Sequence, residues 1–347
     1  MLVESPPEQR AEDTSAPPTR RVIRAVGLLL AVLIMVLVAL TSIAVGAKEL
    51  TLGQVWHGLF QDSGTYGDVV VGERLSRTLL GLLAGAALGL SGAVLQALTR
   101  NPLADPGLLG INAGASAAVV TAITFFGVTS LNGYVWFAFF GAAAVGALVW
   151  FLGGSRGATP VRLALAGTAI SAALYGYLQA LMILDEAALD RMRFWTVGSL
   201  SAATDDTITQ VLPFLVAGSL LALALARPLN AMAMGDDTAK ALGANLNRTR
   251  ALSMLAATVL CGAATAACGP IVFVGLMVPH VVRSFTGPDL RWILPYAAVL
   301  SPVLLLGADV LGRIVTRPAE LQVGIVTAII GGPVFIFLVR RRRTAQL

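Results

Sequence analysis

The chain returns again and again to apolar runs of about 20 residues, the length a helix needs to cross the hydrocarbon core of a bilayer. Inside lipid, every backbone N–H and C=O must find a partner within the protein. Such runs therefore fold as helices, and short or broken ones survive only under cover of their neighbours. Ten segments qualify: 22–46, 74–98, 108–128, 134–152, 161–184, 207–226, 250–269, 271–285, 292–313 and 323–340. The eighth is short, parted from the seventh only by Gly269-Pro270, and hydropathy by itself accepts nine spans as readily as ten. The chain is 56% hydrophobic and 12% charged, whereas soluble domains carry roughly 25% charged residues. The predicted fold class is an all-α polytopic membrane protein with about ten transmembrane helices.

Charge placement separates nine from ten. With both termini in the cytoplasm, ten spans put 17 of the 24 Lys and Arg residues inside and 7 outside, the excess the positive-inside rule demands. Nine spans would put the tail Arg340 to Arg343 outside. The net charge of +5 could suggest a nucleic-acid partner, but the arginines sit at the ends of apolar runs, which is a topology signal. The predicted organisation is a disordered cytoplasmic tail (1–21), a transmembrane domain (22–343) and a short C-terminal tail (344–347). The leading residues are polar and rich in Pro, Glu and Ser, with no short apolar core of the kind a signal peptide carries.

The stretch Arg74 to Ala115 carries the most specific signal. Arg74 and Arg77 stand at the mouth of an apolar run; Gly81, Gly85 and Gly89 follow four apart, then Ser91 and Gly92; and Asn101-Pro102-Leu103-Ala104-Asp105-Pro106 closes it. Glycines at that spacing share a helix face and admit a neighbouring backbone. The two prolines stop the helix and force a turn.

No G-x-x-x-x-G-K-[ST] phosphate loop occurs, and the only lysines, Lys48 and Lys240, follow no such run. No cofactor, metal site or catalytic residue is predicted. His57 and His280 lack partners at ligand spacing, and Cys261 and Cys268 read as buried, inert thiols. Asp309, four residues before Arg313, shares a helix face with it and can pair. No series of membrane carboxylates and no matching halves support an ion-coupled secondary carrier, the alternative from another class. Trp195, in the outside loop 185–206, reads as a headgroup anchor. The inside loop 227–250 is too polar to span, and it places Gly235 and Gly243 around an acid-capped turn, with a short helix expected at 238–242.

These features together resemble the FecCD family of ABC importer permeases, which carry iron-siderophores, haem and cobalamin. Within it the chain is most similar to the permease subunits for ferric enterobactin. The resemblance covers about 48–343 and rests on several further motifs. The sequence LGDDTAxxLG is matched from Met234-Gly235-Asp236-Asp237-Thr238-Ala239 to Leu242-Gly243, with Met234 in place of leucine. RLSR at 74–77 stands for RLPR. Ala308-Asp309 with Arg313 matches ADxxxR. Gly269 to Arg283 and Val323 to Leu338 also match, and Gln322 replaces a proline in the approach Glu320-Leu321-Gln322-Val323-Gly324.

The resemblance implies a type II ABC importer fold like that of the cobalamin permease. It further implies a second permease chain (a heterodimer, or else a homodimer), a dimeric ATPase and an extracytoplasmic siderophore-binding protein. Arg74, Arg77 and Arg313 are implied to receive that protein's glutamates. Gly235, Asp236, Asp237, Thr238, Ala239, Leu242 and Gly243 are implied to engage the ATPase. Gln96, Asn112 and Ser116 are the candidate pathway lining. Within the class, a haem or cobalamin permease is the alternative.

Overall fold

A computed structural model describes residues 18–48, 50–60, 64–128, 130–154, 160–201 and 203–344. Among them the only regular structure is helical. A long first helix, α1 (Pro18–Ala44), leads through the short α2 (Leu52–Phe60) into α3 (Tyr66–Thr99). A single 3-10 turn (Pro106–Leu109) precedes α4 (Ile111–Phe126), α5 (Leu131–Gly154), α6 (Pro160–Leu184) and α7 (Glu186–Trp195). Then come α8 (Asp205–Ala224), two short helices α9 (Ala226–Ala233) and α10 (Asp236–Ala241), and α11 (Leu246–Cys268). The chain ends with α12 (Val274–Thr286), α13 (Leu290–Val315) and α14 (Val323–Thr344).

The ten predicted spans fall on α1, α3, α4, α5, α6, α8, α11, α12, α13 and α14. Seven of these are long and apolar enough to cross a membrane unaided; α4 and α14 contribute shorter apolar stretches, and α12 is shorter still. Residues 1–17, most of the predicted tail, lie outside the described residues, and α1 already begins at Pro18.

Two spans form the centre. In α3 and α11, 78% of the most apolar window is buried, against 17% in α1 and α6, which lie on the outside of the single chain. The glycine row of α3 explains how it reaches the centre. A Cβ on Gly85 would stand 2.6 Å from Pro302 Cα on α13, and one on Gly92 would stand 2.7 Å from Gly275 Cα on α12. Backbone therefore meets backbone on two sides of α3, which a larger side chain at either position would prevent.

Three elements differ from expectation in a way that matters later. First, α3 starts at Tyr66, eight residues before Arg74. Thr65 and Asp68 make a reciprocal capping box, Thr65 Oγ1 accepting from the Asp68 amide and Asp68 Oδ2 from the Thr65 amide. Both arginines thus lie two to three turns inside the helix, not at its mouth. Second, the 185–206 connection is largely helical. Asp185 caps α7, Ala188 and Met192 are buried, and Trp195 packs partly buried against the core. Third, in the 227–250 segment, where the resemblance implies paired short helices, the second of the pair begins at Asp236 and not at 238.

Candidate functional site

At the Arg77 end of the bundle, α3 and α13 bring together three arginines and two acids. Asp309 is completely buried. It accepts from Arg77 Nε (3.0 and 3.2 Å) and Nη2 (2.7 Å), and forms an ion pair with Arg313, whose Nη2 lies 3.0 Å from Oδ2. The pairing of Asp309 with Arg313 follows from their four-residue spacing. The pairing with Arg77 does not, since it joins two helices. The remaining edge of Arg77 is taken by Glu320, whose Oε2 accepts from Nη1 at 2.6 Å. Glu320 lies in the connection between α13 and α14, and its side chain is 36% exposed.

The other guanidiniums cap α1. A helix ends with carbonyls that have no partner in the helix and carry partial negative charge. Arg313 Nη1 donates to Ser42 O (2.9 Å) and Val45 O (3.0 Å), and its Nη2 donates to Ser42 Oγ (2.8 Å). Arg74 Nη1 donates to Ile43 O (3.1 Å) and Ala44 O (3.0 Å), and Nη2 to Lys48 O (2.5 Å). Arg317 Nη2 adds a bond to Gly46 O at 2.9 Å. The three arginines expected to form an exposed anion-receiving rim are therefore all buried. Arg74 donates to the end of α1 and to the turn after it, and Arg313 divides itself between that end and Asp309, with its Nε buried and without a hydrogen-bond partner among the described residues. Of the three, only Arg77 turns a donor toward a partly exposed carboxylate.

The opposite end of α3 carries a second constellation. Counting from Arg77 to Arg100 at 1.5 Å per helical residue, the two lie about 35 Å apart. Arg100 closes α3 in the left-handed region (φ 50°), a conformation that turns the chain sharply out of the helix. Its Nη2 donates to Met232 O (2.6 Å) on α9 and to Asp236 Oδ1 on α10. Arg250 Nη2 on α11 donates to Asp236 Oδ2 at 2.6 Å. One carboxylate thus ties three helices together. The Arg100 bond, with the nearby Arg250 charge, holds the Asp236 carboxyl below its ordinary value.

Around that clasp the remaining loop residues divide cleanly. Ala239 is buried, while Asp237, Thr238, Leu242 and Gly243 are exposed. Gly243, at φ +80°, closes α10 with its amide on Lys240 O at 2.9 Å, and Gly235 precedes the helix at φ +111°; both are backbone states that favour glycine. Met234 (59% exposed) and Leu242 (63%) stand out as apolar side chains in water-facing sequence.

The expected lining residues lie elsewhere than in open space. Gln96 Nε2 donates to Leu276 O at 2.9 Å between α3 and α12, Asn112 Oδ1 accepts from Thr265 Oγ1 at 3.0 Å between α4 and α11, and Ser116 Oγ donates back to Asn112 O at 2.9 Å. All three are buried within this chain. Sequence reading passed over α6 instead. It is the least apolar of the seven long spans and leaves Thr168, Ala172, Tyr175 and Gln179 exposed along one stripe. The spacing of three and four was there to be read.

Residues 33–341 match the model of the FecCD transport family. The chain is 47% identical over 329 residues to the ferric enterobactin transport system permease protein FepD of Escherichia coli (strain K12), covering 93% of this chain and 96% of that one. It is 40% identical to the Fe(3+)-citrate import system permease protein YfmD of Bacillus subtilis (strain 168), over 88% of this chain and 91% of its relative. It is 37% identical to the hemin transport system permease protein HmuU of Yersinia pestis, over 90% and 94%. Among solved structures, an inward-facing putative metal-chelate type ABC transporter matches with a TM-score of 0.81 at 28% identity, covering 91% of this chain and 99% of that one. The match over 33–341, with a relative 47% identical across nearly the whole chain, makes this chain a member of the FecCD transport family.

Proposed function

We propose that this chain is the membrane permease subunit of an ATP-driven importer for an iron(III)-siderophore of the enterobactin type. The observation that carries the substrate class is the 47% identity to a ferric enterobactin permease, sustained over 93% of the chain. The chain works with a second permease of the same family, and α6 fits that role. A bilayer-spanning helix that is 17% buried and shows Thr168, Tyr175 and Gln179 outward needs water or protein against that stripe. Between two such helices a bulky chelate passes without being gripped.

In this reading both termini are cytoplasmic and the Arg77 end faces outward, where a siderophore-binding protein docks through its carboxylates. The Asp236 end faces the cytoplasm, where a separate dimeric ATPase engages α9 and α10. The sequence holds no phosphate loop, so nucleotide hydrolysis belongs to that partner. Met234 and Leu242 are the contact residues, and Asp236 faces inward and positions the helix that presents them. Movement of α10 is passed to α3 through Arg100 and to α11 through Arg250. Since α3 is locked backbone to backbone against α12 and α13, those helices move with it.

A deletion strain decides the substrate. Loss of growth on ferric enterobactin as sole iron source, restored by this chain and by nothing lacking the ATPase, is the expected result. Unimpaired growth on that chelate with loss on haem or on ferric citrate would reassign the cargo.

A further inference from the structure

We infer that the carboxylate of Glu320 is an exchangeable occupant of Arg77, and that an acidic side chain on a docking protein takes its place. The inference rests on the docking reading above and narrows it from three arginines to one edge of one guanidinium.

The geometry of Arg77 divides its five N–H donors into two sides. The Nε and Nη2 side is committed to Asp309, which is inaccessible and is shared with Arg313. That side stays paired, because opening it would strand a buried charge. The Nη1 side meets Glu320, which is more than a third exposed and has no other hydrogen-bond or ion-pair partner among the described residues. The backbone beside Glu320 is held in place, since the Leu321 amide donates to Gly312 O at 3.1 Å and Thr316 Oγ1 donates to Ala319 O at 3.2 Å. Exchange therefore needs only a side-chain rotation, with no rearrangement of the loop.

Charge supports the same assignment. Arg74, Arg77 and Arg313 converge on this end against Asp309 and Glu320. When Glu320 swings away the cluster is left short of negative charge, and the Nη1 donors of Arg77 face the surface. An incoming carboxylate restores the balance. Arg74 and Arg313 offer no such edge: the end groups of Arg74 are held by backbone carbonyls at and beyond the end of α1, and Arg313 is enclosed between that end and Asp309. The partner that fits is a protein surface presenting a single Asp or Glu over Glu320, and Glu320 competes with it for Arg77.

The test is equilibrium binding of the cognate siderophore-binding protein to the complete importer in nanodiscs, comparing wild type with Glu320→Gln, Glu320→Asp and Arg77→Lys. Glu320→Gln removes the competitor, and Glu320→Asp keeps the charge but is one methylene too short to hold Nη1. Both are expected to tighten binding about two- to fivefold, the range set by an ion pair with one partly exposed member. Arg77→Lys keeps a cation against Asp309 and is expected to weaken binding. Thermal unfolding of each complex confirms that assembly is intact. Tighter binding with Glu320→Gln alone would overturn exchange in favour of long-range repulsion. No tightening with either variant, while Arg77→Lys still weakens binding, would overturn the exchange and leave the docking reading standing. An unaltered affinity in Arg77→Lys would remove both.

Discussion

Arg77 and Asp309 lie 232 positions apart in sequence and meet through three hydrogen bonds of 2.7 to 3.2 Å, joining α3 to α13 where both are buried. A carboxylate enclosed by two guanidiniums contributes little net stability relative to an apolar pair, but removal of one member leaves an uncompensated charge. That asymmetry governs which substitutions at this end are informative.

Asp309→Asn should destabilise the chain by about 3–5 kcal/mol, because Arg77 and Arg313 both lose their shared counter-charge. Thermal unfolding of the purified protein in detergent would check it. Glu320→Gln, at the exposed side of the same arginine, should cost about 1 kcal/mol or less.

The glycine row predicts a steep dependence on side-chain size. Gly92→Ala places a methyl against the Gly275 backbone and should cost about 1–3 kcal/mol through displaced helices. Ala substitution at Gly307, where an added Cβ meets nothing within 4 Å, should not be destabilising in the same assay.

On the α10 side, Leu242→Asp and Asp236→Asn should both depress ATP hydrolysis stimulated by the binding protein, for different reasons. Leu242→Asp alters an exposed contact and should leave hydrogen exchange of 236–244 unchanged. Asp236→Asn releases the clasp to Arg100 and Arg250 and should accelerate exchange there severalfold. Equal exchange in the two variants would remove the division between contact and positioning residues.

The clasp also sets a pH dependence. The folded-state pKa of Asp236 is depressed by its arginine partners, so its contribution is fully present above the unfolded value of about 3.9 and is lost as pH falls through the lower folded value. Protection of the α10 amides, corrected for intrinsic exchange, should therefore be flat from pH 7 to 5 and fail only below the ordinary carboxylate range. Loss of protection near pH 6 would point to another titrating group.

Burial also changes how a docking experiment must be designed. Reversing Arg74 and Arg77 to glutamate would set acids against the α1 carbonyls and against Asp309. Folding would fail before docking was tested, which is why Arg77→Lys is the useful variant.

The sequence by itself determined the helical class and a count of about ten spans. Apolar length and the distribution of arginines follow from what lipid does to a bare backbone and to a charge, and neither needs to know where a neighbour is. It also picked out the glycine face of α3, the Asp309–Arg313 spacing and the acid-headed turn at 235–243, because each is local. Only the tertiary structure decided what the arginines face. Whether a guanidinium at the head of an apolar run meets water, a lipid headgroup, a helix end or a carboxylate depends on elements far away in the chain: Ser42 for Arg313, Asp309 for Arg77, Asp236 for Arg100. Gln96 and Asn112 moved from expected lining to helix contacts for the same reason, since a buried polar side chain takes whatever partner the packing brings within reach.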